Sequence, residues 1–284
     1  MKMKKITILA SATLLGALTL TSCGETKAKE AEAVSFASYS TETTLDKYQE
    51  AHANYLASVD VSAGYDLTTY TYSSIDVESS YNYSYVTSSK YAAKYDKTNG
   101  ILTNDNEYYM YDNEETLRDG LITYSNTYQK NNAGFDIINN NTKSYYSSDF
   151  SIDNYAYSSV NMSGYVDALA GSIDESDTTK QVKYYADNNV YTLKLTIKTE
   201  TEHKEGTITL KENTSVETVF QFYVSNSEVY GKSTTDKVTE LEYVDGDSTG
   251  KVKKTEKNVK YATLKIGAQT ISKVDLSTYI KESY

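Results

Sequence analysis

Tyr191-Thr192-Leu193-Lys194-Leu195-Thr196-Ile197-Lys198 decides the fold of this chain. Side chains of a strand alternate between its two faces, so Tyr191, Leu193, Leu195 and Ile197 share one face and threonine and lysine take the other. One apolar and one wet face is the signature of an antiparallel sheet with one solvated side. Reading onward, Ile208 and Leu210 follow a turn at Glu205-Gly206. Val216, Thr218, Phe220, Phe222 and Val224 make the next inward row, and Leu241 and Tyr243 precede a Gly/Asp turn. Residues 259–266 predict a further strand, and residues 274–280 a closing helical turn. The short connections favour a meander.

Reading backward, the same period starts near Gly64. Tyr81, Tyr83 and Tyr85 alternate with Asn82 and Ser84, and Tyr91, Ala93 and Tyr95 lead into the turn Asp96-Lys97-Thr98-Asn99-Gly100. Residues 106–111 read as another strand. Residues 125–160, rich in Asn, Ser, Asp and Tyr, lack clean periodicity and read as a long irregular region. Before the strands, Leu45, Tyr48, His52, Tyr55, Leu56 and Val59 recur at helical spacing, which predicts a helix over 43–58 capped by Thr43 with Asp46. Val166, Leu169 and Ile173 predict a second helix near 163–172. The fold class is therefore mainly β (α+β). We expect one domain, 42–284, in which a curved antiparallel meander sheet, or half-barrel, packs on one to three helices.

Composition narrows the physics. The 284 residues hold 30 Tyr, 5 Phe, no Trp, no Pro and one arginine, Arg118. An AT-rich genome favours Tyr, Lys and Asn codons, so tyrosine abundance alone says little about function. Tyrosine still suits strands and half-wet surfaces, because its ring packs while its hydroxyl stays hydrated. Without proline, sheet edges must be protected by lysine and charge.

The first residues carry an address. Lys2, Lys4 and Lys5 precede an apolar stretch over 6–20 that is too short to span a bilayer, which takes roughly 18 or more apolar residues. Leu20-Thr21-Ser22-Cys23 follows and holds the one cysteine. This arrangement resembles the lipobox of bacterial lipoproteins. The resemblance implies a signal peptide over 1–22, cleavage before Cys23, and diacylglycerol with further acyl lipid (palmitate) on Cys23. Residues 23–41 then form a lipidated, disordered linker, small and charged. The implied location is the cell membrane, lipid-anchored, on the extracytoplasmic face. With the cysteine lipidated, no disulfide is available. Loss of three leader lysines takes the formal charge from −11 to −14. That acidity argues against nucleic acid and against a polybasic grip on anionic lipid.

The order of elements in the body resembles the LolA/LolB and LppX/LprG-type lipoproteins, where a curved sheet encloses a lipid-sized cavity. The resemblance implies non-catalytic binding or carriage of a hydrophobic or amphipathic ligand, with Tyr191, Leu193, Leu195, Ile197, Phe220 and Phe222 lining the inner face. The alternative is a surface adhesion or interaction module that binds glycan, cell wall or protein through exposed tyrosines. No cofactor beyond the lipid is implied, and no enzyme. The two histidines, His52 and His203, read as a packed residue and a solvated turn. Phosphate-loop, dinucleotide and nucleophile-elbow motifs are absent. Asp245, Asp247, Thr249 and Glu256 fall at calcium-loop spacing around Gly250, although Asp-Gly and Thr-Gly are also ordinary hairpin chemistry.

Overall fold

The structure, a computed structural model, describes residues 39–80, 82–111, 122–149, 179–225, 228–245 and 248–283. The leader, Cys23 and the helix expected near 163–172 lie outside the described residues. In chain order the elements are strand β1 (Glu42–Thr43), helix α1 (Leu45–Ala57), and strands β2 (Tyr65–Glu78), β3 (Tyr83–Asp96), β4 (Ile101–Tyr111), β5 (Ile122–Lys130), β6 (Phe135–Asn139) and β7 (Ser144–Ser148). There follow β8 (Lys180–Asp187), β9 (Val190–Glu205), β10 (Ile208–Ser225), β11 (Glu228–Asp245), β12 (Ser248–Ile266), a single 3-10 turn (Leu276–Thr278) and β13 (Ile280–Lys281).

All thirteen strands join one open, curved sheet in the order β1-β8-β9-β10-β11-β12-β2-β3-β4-β5-β6-β7-β13. Pairing is antiparallel everywhere except between β13 and β7. The sheet is two meanders, β2–β7 and β8–β12, joined where β12 pairs β2 from Tyr65↔Ile266 to Glu78↔Lys253. At that seam Gly64 donates no side chain for a reason: its φ is +111°, and a Cβ there would sit 2.5 Å from the Tyr95 carbonyl oxygen. Its own carbonyl accepts from Gly267 N at 3.0 Å, so the chain enters β2 and leaves β12 at one crossing.

Helix α1 starts one residue later than the sequence suggests. Thr44, not Thr43, is the N-cap, and its hydroxyl accepts from Lys47 N. The helix packs Tyr48 and Tyr55 against the sheet, while Leu45 turns outward to solvent. Under it lie Leu193, Leu195, Phe220 and Phe222, and the core continues through Val229, Leu264, Leu67, Ala93 and Leu102 along the same face. We call this the helix face. The other face gains cover at the far end of the sheet. Asp96, Ile101 and Gln129 are direct register partners and so point together, away from the row Tyr95, Leu102, Tyr128. Residues 268–279 cross over them as a strap. Ile271 N donates to Asp96 Oδ2 at 3.0 Å, Val274 N donates to Gln129 Oε1 at 2.8 Å, and the strap ends as β13 on the edge of β7.

Two expectations change. Much of residues 125–160 is not irregular: β5, β6 and β7 form a tight meander there, with the Ile138 side chain fully buried. Polar residues on both faces hide the period of two. Asn140 explains the stability of one turn, since its Nδ2 donates to Ser125 Oγ and Thr127 Oγ1, both at 3.1 Å. His203 lies within β9, opposite Leu210, rather than in the turn.

Candidate functional site

The six residues expected to line a ligand share one face and one block. Tyr191 lies opposite Phe222, Leu193 opposite Phe220, and Ile197 two residues beyond Leu195 on the same strand. α1 closes over that block. Phe222 packs edge-on to Tyr48 at 5.6 Å, tilted to Tyr55 at 4.8 Å and parallel to Tyr191 at 5.7 Å between ring centroids. His52 sits half-buried among them, 5.3 Å from the Phe222 ring. Burial pushes the Tyr55 phenol pKa up. Leu193, Leu195, Phe220 and Phe222 are at most 1% exposed, so in this block they are packed core.

The residues at calcium-loop spacing are drawn apart. β11 and β12 form a hairpin in which Asp245 faces Ser248, and Asp247 lies outside the described residues. Glu256 is eight positions up β12 from Ser248, about 27 Å at the rise of a strand. Asp245 accepts from Thr207 Oγ1 at 2.7 Å. Glu256 is held instead by Lys254 at 3.0 Å and Lys237 at 3.3 Å, which keep its carboxyl pKa below the ordinary value. Thr249 faces Val244 within the hairpin. Asp245 and Glu256 therefore share no coordination shell, and among the described residues no cluster of His, Cys, Asp or Glu converges for a metal.

One group ties the N-terminal segment to the domain. The Asp187 carboxylate, at the end of β8, accepts from Ser40 N at 2.7 Å, Thr41 N at 3.1 Å, Thr41 Oγ1 at 2.7 Å and Ser40 Oγ at 3.3 Å. These bonds, led by that from Ser40 N, lower its pKa to about 2. From this end β9 runs on toward Glu205, roughly 50 Å away at a strand's rise.

Among the described residues, the sheet beyond the helix is one layer thick. Every residue of β9 from Lys198 to Glu205 is exposed. Tyr243, Ile208 and Tyr83 stand on the helix face in this outer region, 37–43% exposed. Charged pairs decorate both faces, Lys237 and Glu256 at 3.3 Å on the helix face and Lys251 and Glu242 at 3.4 Å on the other.

Between the covered block and the outer region lies a recess of about 200 Å³ on the helix face. Two register rows floor it. One runs Thr218, Thr235, Asn258, Ser73, Thr87 across β10, β11, β12, β2 and β3; the next runs Ser233, Lys260, Thr71, Ser89 across the last four. The rows continue apolar ones: Leu195 faces Thr218 and Phe220 faces Ser233. Thr71 bonds Ser89, and Thr218 bonds Thr235 at 3.1 Å. The sequence carries a signal for this, Thr and Ser repeated at i, i+2 on neighbouring strands. It is invisible until the register aligns them.

No family model matches the chain, and no curated protein does. Among solved structures it aligns with two multiply substituted mutants of the Rh. blastica porin. One is 10% identical over 70% of this chain and 99% of the porin, with a TM-score of 0.17. The other is 9% identical with the same coverage and a TM-score of 0.19.

Proposed function

We propose that this chain is a membrane-tethered, non-catalytic binding module whose open sheet meets an extracellular partner of cell-wall or glycan chemistry. In this reading Cys23 carries diacylglycerol, whose two chains anchor stably where one would be marginal, and a further acyl lipid. The tether would join the domain at Ser40 and Thr41, beside Asp187. The single-layer region, which points away from that end, would then be presented outward. The observation that carries the reading is this polarity: packed core and tether attachment at one end, half-exposed tyrosine and hydroxyl surface toward the other.

Carriage of a lipid inside a half-barrel asks for Tyr191, Leu193, Leu195, Ile197, Phe220 and Phe222 to line an empty space. Because α1 packs onto that block, surface binding is the better supported reading. The test is co-sedimentation of the mature chain with purified cell-wall material, alongside native mass spectrometry of the chain taken from cells. Saturable co-sedimentation with a clean protein mass supports the module. A co-purifying lipid mass with no wall binding overturns it in favour of a carrier.

A further inference from the structure

We infer that the hydroxyl-floored recess on the helix face is a subsite for one acidic sugar unit of an extended glycan. This rests on the binding-module reading above and names its site and ligand class.

Four features of the recess converge. First, six of its nine lining residues carry short polar side chains, beside Tyr72, Val259 and Lys260. Thr71, Ser73, Thr87, Ser233 and Thr235 present hydroxyls, which both donate and accept, and Asn258 adds an amide. Neighbouring strands are about 4.8 Å apart, so the row from Thr218 to Thr87 offers a hydroxyl or amide roughly once per sugar ring laid across the strands. Second, apart from Thr71 and Thr235, which bond Ser89 and Thr218, these groups are not consumed by the fold. The side chains of Ser73, Thr87, Ser233, Asn258 and Lys260 make no hydrogen bond or ion pair within the described residues, whereas many outer lysines are paired. Third, the sign of charge is unusual for this chain. The chain holds 39 Asp and Glu against 28 Lys and Arg, yet among the described residues no carboxylate lines the recess and Lys260 does. The nearest carboxylate row is that of Glu256, which Lys237 and Lys254 neutralise. A carboxylate brought by the ligand would find an ammonium and no opposing anion. Fourth, aromatic and apolar surface borders the polar floor. One register row outward, Ile75 faces Tyr85, and Tyr83 lies two residues further along β3, available to stack on a sugar face.

The size argues for a chain rather than a free small molecule. At about 200 Å³ the recess is below the range that buries a drug-sized ligand, but it suits one ring of a polymer that continues over the open sheet.

The experiment is isothermal titration of the mature chain with an oligogalacturonate and with its methyl-esterified, uncharged counterpart. Lys260→Gln and Asn258→Ala are the recess variants and Lys232→Gln, on the other face, is the control. Circular dichroism checks that each is folded. We expect the acidic oligomer to bind at least tenfold more tightly than the ester, Lys260→Gln to erase that preference, Asn258→Ala to weaken both ligands, and Lys232→Gln to change neither. Equal binding of acid and ester that Lys260→Gln leaves untouched overturns the inference. So does a folded chain that binds neither oligomer. If such a chain still co-sediments with wall material, the module stands and only this site falls.

Discussion

Gln129 holds Val274 by both ends of one amide: its Oε1 accepts from Val274 N at 2.8 Å and its Nε2 donates to Val274 O at 3.5 Å. The side chain is 3% exposed, so it has no water to fall back on. Removing it strands two backbone groups of the strap. Gln129→Ala is expected to cost about 1–3 kcal/mol. Limited proteolysis should then cut within 268–279 before it cuts the sheet. A parent-like digestion pattern would show that the strap is held elsewhere.

Asp187 predicts a pH dependence. Its carboxyl has a pKa near 2 in the folded chain against an ordinary 3.8. A lowered folded pKa means that its contribution is complete above about 3.8 and fades as pH falls toward 2. Asp96, which accepts from Asn99 N, Asn99 Nδ2 and Ile271 N, is shifted in the same direction. Unfolding followed from pH 6 to pH 2 should show stability dropping through this window. Asp187→Asn should flatten part of the drop and loosen residues 39–43, which amide exchange at Thr41 would report.

Phe222 is the contact on which α1 rests, touching Tyr48, His52, Tyr55 and Tyr191 at once. Phe222→Ala should cost about 3–5 kcal/mol in denaturant unfolding, because a cavity opens where helix and sheet cannot both collapse. The loss should exceed that from Tyr243→Ala, where the ring is 40% exposed and little packing is forfeited.

The one-layer region should be the soft part of the sheet. Hydrogen bonds there are flanked by water on both faces, and local opening is cheapest where few apolar contacts are lost. Amides of residues 199–205 and 208–213 should exchange well before those of 191–195 and 220–223 on the same two strands. Uniform protection along β9 would contradict this.

Much of the sheet was legible in residues 191–197 and 216–222, because apolar side chains at period two leave little choice of face. α1 was legible within two residues for a similar reason, its aromatic stripe at helical spacing. β5 to β7 were not, since Asn, Ser and Thr occupy both faces and pairing there is fixed by neighbours rather than by contrast. The Asp245–Glu256 spacing carried two readings, because the same acidic and glycine residues that wrap a cation in a loop also turn a hairpin; here they turn the β11–β12 hairpin, and Lys254 and Lys237 are the partners of Glu256. The recess could not be read in advance, because Ser73, Thr87, Thr235 and Asn258 come from four strands and meet only through register.

The seam between β12 and β2 has a consequence for how the molecule is made. Tyr65 and Ile266 face each other although about 200 residues separate them in the chain, and contacts of such long range form late. Until β12 arrives, each finished meander presents a raw edge, β2 on one and β11 on the other. A chain stopped short of residue 248 would keep both edges bare, each ready to add a strand from another copy. The last strand of the large meander is thus the keystone of assembly, and a chain without it is left with two unpaired edges where the whole chain has a continuous sheet.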